Sequence, residues 1–134
     1  MTGFSQEHVD ALAARLFGAL ERGDLPAYLA CYHPDARIWH SRDEADTDLE
    51  QNHAAELLFF ARVSNRRFEV LTRDYFDGGF VQEHVVHGTL EDGSALRLPV
   101  LFIAHLGEDG RFLRVAEYLN SERSPLKGLV QHSV

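Results

Sequence analysis

The second half of this chain consists of four long apolar runs that are separated by short glycine-containing segments. The runs are rich in Val, Phe, Leu and Tyr and cover residues 68–76, 79–90, 95–106 and 112–121. The segments between them have the composition of hairpin turns and are Asp77-Gly78-Gly79, Glu91-Asp92-Gly93 and Gly107-Glu108-Asp109-Gly110. Hairpin turns join antiparallel neighbours, so this half predicts an antiparallel meander of four strands.

The first half has the pattern of helices. Apolar residues recur along residues 6–22 with a spacing that places them on a single helical face. Ser5 can cap the start of this helix, and Gly23 can end it. Asp24 can cap a second, short helix that has Pro26 near its first turn, where a missing N–H costs nothing.

A strand and a third helix follow. Residues 35–40 begin after a proline and predict a strand that ends on Trp39 and His40. An acidic loop over residues 41–46 separates this strand from a helix that is predicted over residues 47–63. The apolar stripe assigned to that helix comprises Leu49, His53, Leu57 and Phe60. Helices first and a meander afterwards indicate an α+β fold.

Composition limits the partners and the compartment. The formal net charge is −8, from 13 basic and 21 acidic residues, so neither nucleic acid nor an anionic membrane surface is an expected partner. The apolar runs are too short to span a bilayer, and no signal peptide is recognisable. The single cysteine, Cys31, excludes an intrachain disulfide and favours a reducing, cytoplasmic location. Residues 1–134 predict one domain, with a core over about 6–121 and a tail over 122–134.

Strand alternation predicts which side chains face the core. In the last run, Glu117 is the lone carboxylate on a face that is otherwise aliphatic. The apolar face of run 95–106 comprises Leu96, Leu98, Val100, Phe102 and Ala104. Both faces of run 79–90 are mixed: one has Val81, Glu83, Val85, His87 and Thr89, and the other has Phe80, Gln82, His84, Val86 and Gly88.

The order helix, Gly-Asp turn, helix, Trp-His strand, helix and four strands resembles the nuclear transport factor 2-like superfamily. Within it, the Trp39-His40 strand end and the ending Glu117-Tyr118-Leu119-Asn120 look most like the SnoaL-like and ketosteroid-isomerase-like branch. The resemblance implies a cystatin-like fold, in which a cone-shaped, curved antiparallel sheet wraps around the N-terminal helices. It also implies one cavity, closed at one end by helices.

The resemblance assigns positions in this cavity. The family's catalytic base, a carboxylate, falls on His40, and a cavity tyrosine falls on Tyr32. The oxyanion-hole tyrosine falls on Leu16 and the protonated aspartate on Phe102, so the donor pair that stabilises a dienolate is missing. Interior sheet positions fall on Glu83, Val85, His87, Leu98, Val100, Phe102, Val115, Glu117 and Leu119.

Three residues are predicted to be catalytic. His40 can act as general base or acid because imidazole titrates near neutral pH. Glu117 should be desolvated, which raises a carboxyl pKa and suits a general acid. His87 can complete a His–Glu–His cluster. The alternatives are a strand-end histidine, a glutamate paired only for structure and a histidine that only shapes the polarity of the wall.

The remaining predictions concern ligands. Residues expected to contact the substrate are Leu16, Tyr32, His53, Val85, Leu98, Val100, Phe102, Val115 and Leu119. His40, His87 and Glu117 have side chains of metal-ligating types, but their spacing in the sequence matches no standard ligand motif. His84 and His87 point to opposite faces and cannot chelate together. We therefore expect neither a metal nor a cofactor.

The pattern favours a cofactor-independent isomerase, dehydratase or cyclase that moves a proton on a small carbonyl compound. The ligand is expected to be a small apolar organic molecule. The alternative is a non-catalytic module of the same fold that binds a hydrophobic ligand or another protein. A homodimer is expected through the outer sheet face, which is predicted to carry Val86, Leu101, Ile103 and Tyr118 beside Gln82, His84 and Arg114.

Overall fold

The computed structural model describes residues 4–126 of the chain. In chain order, the elements are α1 (Gln6–Arg22), α2 (Leu25–Ala30), β1 (Tyr32–His40), β2 (Ala45–Thr47), α3 (Leu49–Arg62), β3 (Val63–Phe76), β4 (Gly79–Leu90), β5 (Ala95–Leu106), β6 (Phe112–Leu119) and a 3-10 turn (Ser121–Arg123). Most of the predicted tail, residues 127–134, lies outside the described residues. No helix within residues 4–126 is long and apolar enough to cross a membrane.

The predicted helix caps are confirmed. The Ser5 side chain accepts a hydrogen bond from the backbone N–H of His8, and Gly23 ends α1 in the left-handed region with φ of 70°. The Asp24 carboxylate accepts from Ala27 N–H at 3.2 Å and caps α2. The third helix is shorter than predicted because Asp48 caps it in a capping box with Gln51.

The sheet has six strands in the order β2-β1-β6-β5-β4-β3. Strands β3 to β6 form the predicted antiparallel meander, and the fold is the α+β class that the pattern indicated. Strand β1 pairs in parallel with β6 and places His40 opposite Glu117 in the register. The acidic segment predicted as a loop contains a short strand, β2, whose Ala45–Thr47 pairs with the end of β1.

The core lies between α1 and the inner face of the sheet. An aromatic cluster forms its centre, because Phe102 contacts Phe17 and Phe80 with ring centroids 5.4 and 5.9 Å apart. Leu16 is 1% exposed and packs in the same core. Leu16 and Phe102 therefore belong to the hydrophobic core.

The assignment of faces in β4 was wrong. Val86 pairs with Leu98 and His84 with Val100, so the even-numbered residues of β4 share the inner face with the apolar face of β5. The polar members of this face pair with one another: Gln82 Nε2 donates to His84 Nδ1 at 2.8 Å, and Arg73 Nε donates to Gln82 Oε1 at 2.8 Å. Only His84 Nε2 on this face is buried without a partner among the described residues. Gln82, His84 and Val86 are consequently absent from the outer face on which they were expected.

Gly79, the first residue of β4, allows a test of this register. A methyl group at Gly79 would meet the backbone oxygen of Ala104 at 2.0 Å and the Phe76 ring at 2.8 Å. We expect Gly79→Ala to lower the free energy of unfolding by about 2 kcal/mol or more, in the range of overpacked sites. Urea unfolding measures this loss.

Gly107→Ala is the matched control for this variant. Its added methyl group would find only side-chain atoms, the nearest being Asp109 Oδ1 at 3.3 Å. We expect a much smaller loss there. Equal losses at the two glycines would contradict the assigned packing of β4 against β5.

Candidate functional site

A cavity of about 70 Å³ lies between the inner face of the sheet and α3. Apolar side chains form most of its wall: Leu20, Phe59, Phe68, Val86, Leu98, Val100 and Leu119. Four ionisable side chains also line it: His40, Arg42, Glu56 and Glu117. Residues 124–126, which follow the last strand, complete the lining. The mixture is typical of a site for a small organic molecule.

His40 and Glu117 form a direct pair in this wall. Their side chains are 5% and 25% exposed, and His40 Nε2 lies 2.8 Å from Glu117 Oε2. The parallel register of β1 and β6 brings them together, and Ser41 holds the end of the pairing by donating its N–H to the Glu117 carbonyl oxygen at 2.9 Å. His40 Nδ1 is buried and has no hydrogen-bond partner within residues 4–126.

The electrostatics of Glu117 differ from the expectation. Burial acts to raise the pKa of its carboxyl group, but the hydrogen bond and charge of His40, together with the Arg42 guanidinium, outweigh burial. The pKa of Glu117 is therefore lowered, and the prediction of a raised value was wrong. An ionised carboxylate can orient the imidazole ring by accepting its N–H, but it has no proton to donate.

Glu56 on α3 is the residue that sequence reasoning missed. Burial and the nearby charge of Glu117 raise the pKa of its carboxyl group to about 8, although the charge of Arg42 acts to lower this pKa. The predicted stripe on α3 was right only in part: Leu49 and Phe60 pack against the core, but Leu57 is 52% exposed. The inward face carries Asn52, Ala55, Glu56 and Phe59.

Arg42 contributes the positive charge of the cavity wall. Its Nη2 lies 3.4 Å from Asp43 Oδ2, and both side chains are 4% exposed. A buried guanidinium paired in this way keeps a fixed position, because charged groups are buried only when they are paired. Arg42 lies in the segment that was predicted to be an acidic loop, which is why it was not assigned to the site.

Tyr32 lies behind the cavity wall. Its ring is buried against Phe112, and its hydroxyl accepts a hydrogen bond from Tyr28 at 3.3 Å. Asn52 of α3 in turn donates to the Tyr28 hydroxyl at 2.6 Å. Burial raises the pKa of Tyr32 well above its usual value. This network joins α2, α3 and β1 directly behind the site.

The structure brings only part of the predicted site together. Leu98, Val100 and Leu119 line the cavity with His40 and Glu117, as predicted. The other predicted ligand contacts lie elsewhere: Leu16, Phe102 and Val115 are in the core, Val85 is on the outer face, and His53 is half-buried on α3 outside the cavity lining.

His87 is the clearest correction. It lies on the outer face of β4, where its Nε2 is 2.8 Å from Glu69 Oε1 of β3. The predicted His–Glu–His cluster is therefore wrong, because the period of two along a strand points His87 away from Glu117. The catalytic roles of His40 and Glu117 stay predictions.

Comparison with known proteins identifies the family. The model of the SnoaL-like domain matches residues 13–115, which is more than half of the chain, so the chain belongs to the SnoaL-like family. No curated protein matches the chain in sequence.

Solved structures share the fold at low identity. PrhC from Penicillium brasilianum is 14% identical with a TM-score of 0.78, and the match covers 88% of this chain and 83% of that one. The pinacolase BvnE from Penicillium brevicompactum is 13% identical, with a TM-score of 0.76 and coverage of 88% and 89%. IdmH from Streptomyces antibioticus, a putative polyketide cyclase by its description, is 17% identical, with a TM-score of 0.73 and coverage of 85% and 93%.

The pKa of Glu56 makes stability depend on pH. Folding raises this pKa from 4.5 to about 8, so the folded chain binds the proton more tightly than the unfolded chain. The contribution of Glu56 to stability is therefore fully present below pH 4.5 and is lost as the pH rises through about 8. Glu56→Gln cannot ionise, so we expect it to gain on the order of 3 kcal/mol over the wild type at pH 8 relative to pH 4.

Urea unfolding of both proteins at the two pH values measures this difference. Glu50→Gln is the control, because Glu50 is an exposed glutamate in the first turn of the same helix. A stability difference between Glu56→Gln and wild type that does not change with pH would show that Glu56 is not held protonated by the fold.

Proposed function

We propose that this protein is a cofactor-independent enzyme that transfers a proton on a small, largely apolar carbonyl compound. The reaction classes that fit are isomerisation, dehydration and cyclisation. The proposal is carried by the 2.8 Å contact between His40 Nε2 and Glu117 Oε2 in the wall of a mostly apolar cavity. The single cysteine favours a reducing cytoplasm as the location of this activity.

The pair provides a base of defined geometry. The Glu117 carboxylate accepts the Nε2–H of His40 and so fixes the neutral tautomer. Nδ1 is then the ring nitrogen that can take a proton, and because this atom is buried, the proposal requires that the substrate reach it from the cavity. After proton transfer, the carboxylate stabilises the imidazolium because opposite charges attract strongly in a poorly solvated site. The lowered pKa of Glu117 supports this role, since the carboxylate stays ionised at neutral pH.

The enzyme descriptions of structural neighbours support a catalytic role, since they include a pinacolase and a putative polyketide cyclase. A second candidate function is a module that binds a small ligand without catalysis. The observation that favours it is the burial of His40, whose side chain is 5% exposed. A histidine that serves only to pair with Glu117 would be buried in the same way.

Exchange of α-protons distinguishes these two functions. The enzyme should speed deuterium incorporation into butan-2-one in D₂O, because this step needs only a base. We expect His40→Ala to lower that rate by about 10²–10⁴-fold, the usual contribution of a general base. Proton NMR measures the exchange.

His87→Ala is the control, since His87 lies on the outer sheet face and contacts Glu69. It should retain the wild-type rate. If wild type gives no exchange above buffer while the ketone still binds, as seen by chemical-shift changes, the binding function is the correct one.

We further propose that the protein forms a homodimer through the outer sheet face. This face carries Trp39, Val81, Leu101, Ile103, Ala116 and Tyr118 as an apolar surface. Leu101 and Tyr118 are 36% and 46% exposed, and the Tyr118 ring contacts Trp39 at 5.0 Å. Exposed apolar side chains on neighbouring strands are a typical feature of an interface.

A charge at the centre of this face should separate the subunits. We expect wild type to sediment at twice the chain mass at micromolar concentration and Leu101→Asp to sediment at the chain mass, because a stable interface of roughly 1,200–2,000 Å² does not accept an unpaired charge. Leu57→Asp is the control, as Leu57 is an exposed leucine on α3. Wild type that sediments as a monomer would refute the dimer.

A further inference from the structure

A second carboxyl group shares the cavity with the proposed base but comes from a different element. Glu56 lines the cavity from α3, whereas His40 and Glu117 line it from the sheet strands β1 and β6. Within residues 4–126, Glu56 has no hydrogen bond or ion pair to account for its inward position. A carboxyl group that lines a mostly apolar cavity and has no protein partner among these residues is placed to contact a bound ligand.

The surroundings of Glu56 keep its proton in place at neutral pH. Burial contributes most to the raised pKa of about 8, and the carboxylate of Glu117 adds to it. The Arg42 guanidinium opposes this rise and can stabilise the carboxylate once the proton has left. Glu117 itself has a lowered pKa. Two carboxyl groups with pKa values moved apart define an acid and an ionised partner in one site.

We propose that Glu56 is a second catalytic residue, a general acid that protonates a leaving hydroxyl group, so that the substrate is a small β-hydroxy ketone or aldehyde and the reaction is its dehydration. This inference rests on the proposed function, because His40 must act as the base. It selects one class among isomerisation, dehydration and cyclisation. A single base that returns the same proton suffices for isomerisation, whereas dehydration needs proton removal and proton donation at two different atoms.

The reaction balances without an added reagent. His40 Nδ1 takes the proton from the carbon next to the carbonyl group, and the electron pair of that C–H bond forms the new C=C bond. The C–O bond to the β-hydroxyl group breaks, its electron pair goes to oxygen, and the proton of Glu56 joins that oxygen to give water. The products are an α,β-unsaturated carbonyl compound and water. A proton then passes from the His40 imidazolium to Glu56 through the released water and restores both groups.

Two probes of nearly the same shape separate the acid from the base. Dehydration of 4-hydroxybutan-2-one to butenone, followed by ultraviolet absorbance, requires both groups. Deuterium exchange of butan-2-one in D₂O requires the base alone. We expect Glu56→Gln to lower dehydration by about 10²–10⁴-fold and to lower exchange by a much smaller factor, because only dehydration uses the acid. Glu56→Asp keeps an acid and should retain more dehydration activity than Glu56→Gln. Glu50→Gln on the same helix should change neither rate.

The pH profile adds a readout that a purely structural role would not change. In wild type, dehydration should fall as the pH rises through about 8, because Glu56 then loses its proton. Glu56→Gln should lack this limb in its residual activity.

Four results would overturn the inference. Dehydration that is unchanged in Glu56→Gln excludes the acid. An equal loss of exchange and dehydration assigns Glu56 to the carbonyl oxygen or to the structure of the site. Wild type that exchanges butan-2-one but does not dehydrate the hydroxyketone refutes the reaction class and leaves the proposed function standing. Absence of both reactions refutes the proposed function itself.

Discussion

The parallel pairing of β1 with β6 determines where every polar group of the cavity lies. It sets His40 beside Glu117 at the end of both strands, where the backbone of Ser41 closes the pairing. After β1 the chain turns back along the sheet edge as β2, which pairs with β1, and it leaves the sheet at the Asp48 cap of α3. As a result, α3 passes over the paired residues and presents Glu56 to the same cavity.

The energetic consequence is a site in which one carboxyl group, Glu117, stabilises the fold when it is ionised, whereas the other, Glu56, opposes the stability of the fold as the pH rises. Glu117 is kept ionised by His40 and by Arg42, and its charge in turn helps to keep Glu56 protonated. Burying an uncompensated carboxyl group lowers stability, and proteins retain such groups chiefly where function requires them. The stability comes from elsewhere, from the aromatic cluster around Phe102 and from the tyrosine network behind the cavity. The aromatic cluster and the tyrosine network therefore stabilise the fold, and a different set of residues forms the charged part of the cavity wall.

Much of the fold could be predicted from the sequence, but only part of the site could. The bounds of α1, β4 and β5 and the inner face of β5 could be predicted, because their apolar residues repeat with one period. In β6 the alternation held for Val115, Glu117 and Leu119 only, since a register shift buries Phe112 and leaves Leu113 37% exposed. The inner face of β4 could not be predicted, since it includes Gln82 and His84, and alternation does not reveal that these two side chains are hydrogen-bonded to each other. The inward face of α3 could not be predicted for a similar reason. Its inward residues at positions 52, 55, 56 and 59 have helical spacing, but two of them are polar and one is small. The larger apolar residues of the neighbouring stripe, of which Leu49 and Phe60 pack against the core, therefore dominated the pattern.

The inner face of the sheet holds two histidines, and their neighbours assign them different tasks. His84 contacts the rings of Phe17, Phe68 and Phe102, and burial lowers its pKa to about 4. Arg73 fixes the orientation of the Gln82 amide, which donates to His84 Nδ1, so the remaining proton of His84 resides on Nε2. A ring with one fixed tautomer and no charge at neutral pH serves packing. His40 has a carboxylate where His84 has an amide, and only a carboxylate can stabilise the charge that an imidazole acquires when it accepts a proton. The choice of partner on each ring therefore supports the proposal that proton transfer takes place at the strand end, where Glu117, Arg42 and Glu56 line the same cavity as His40.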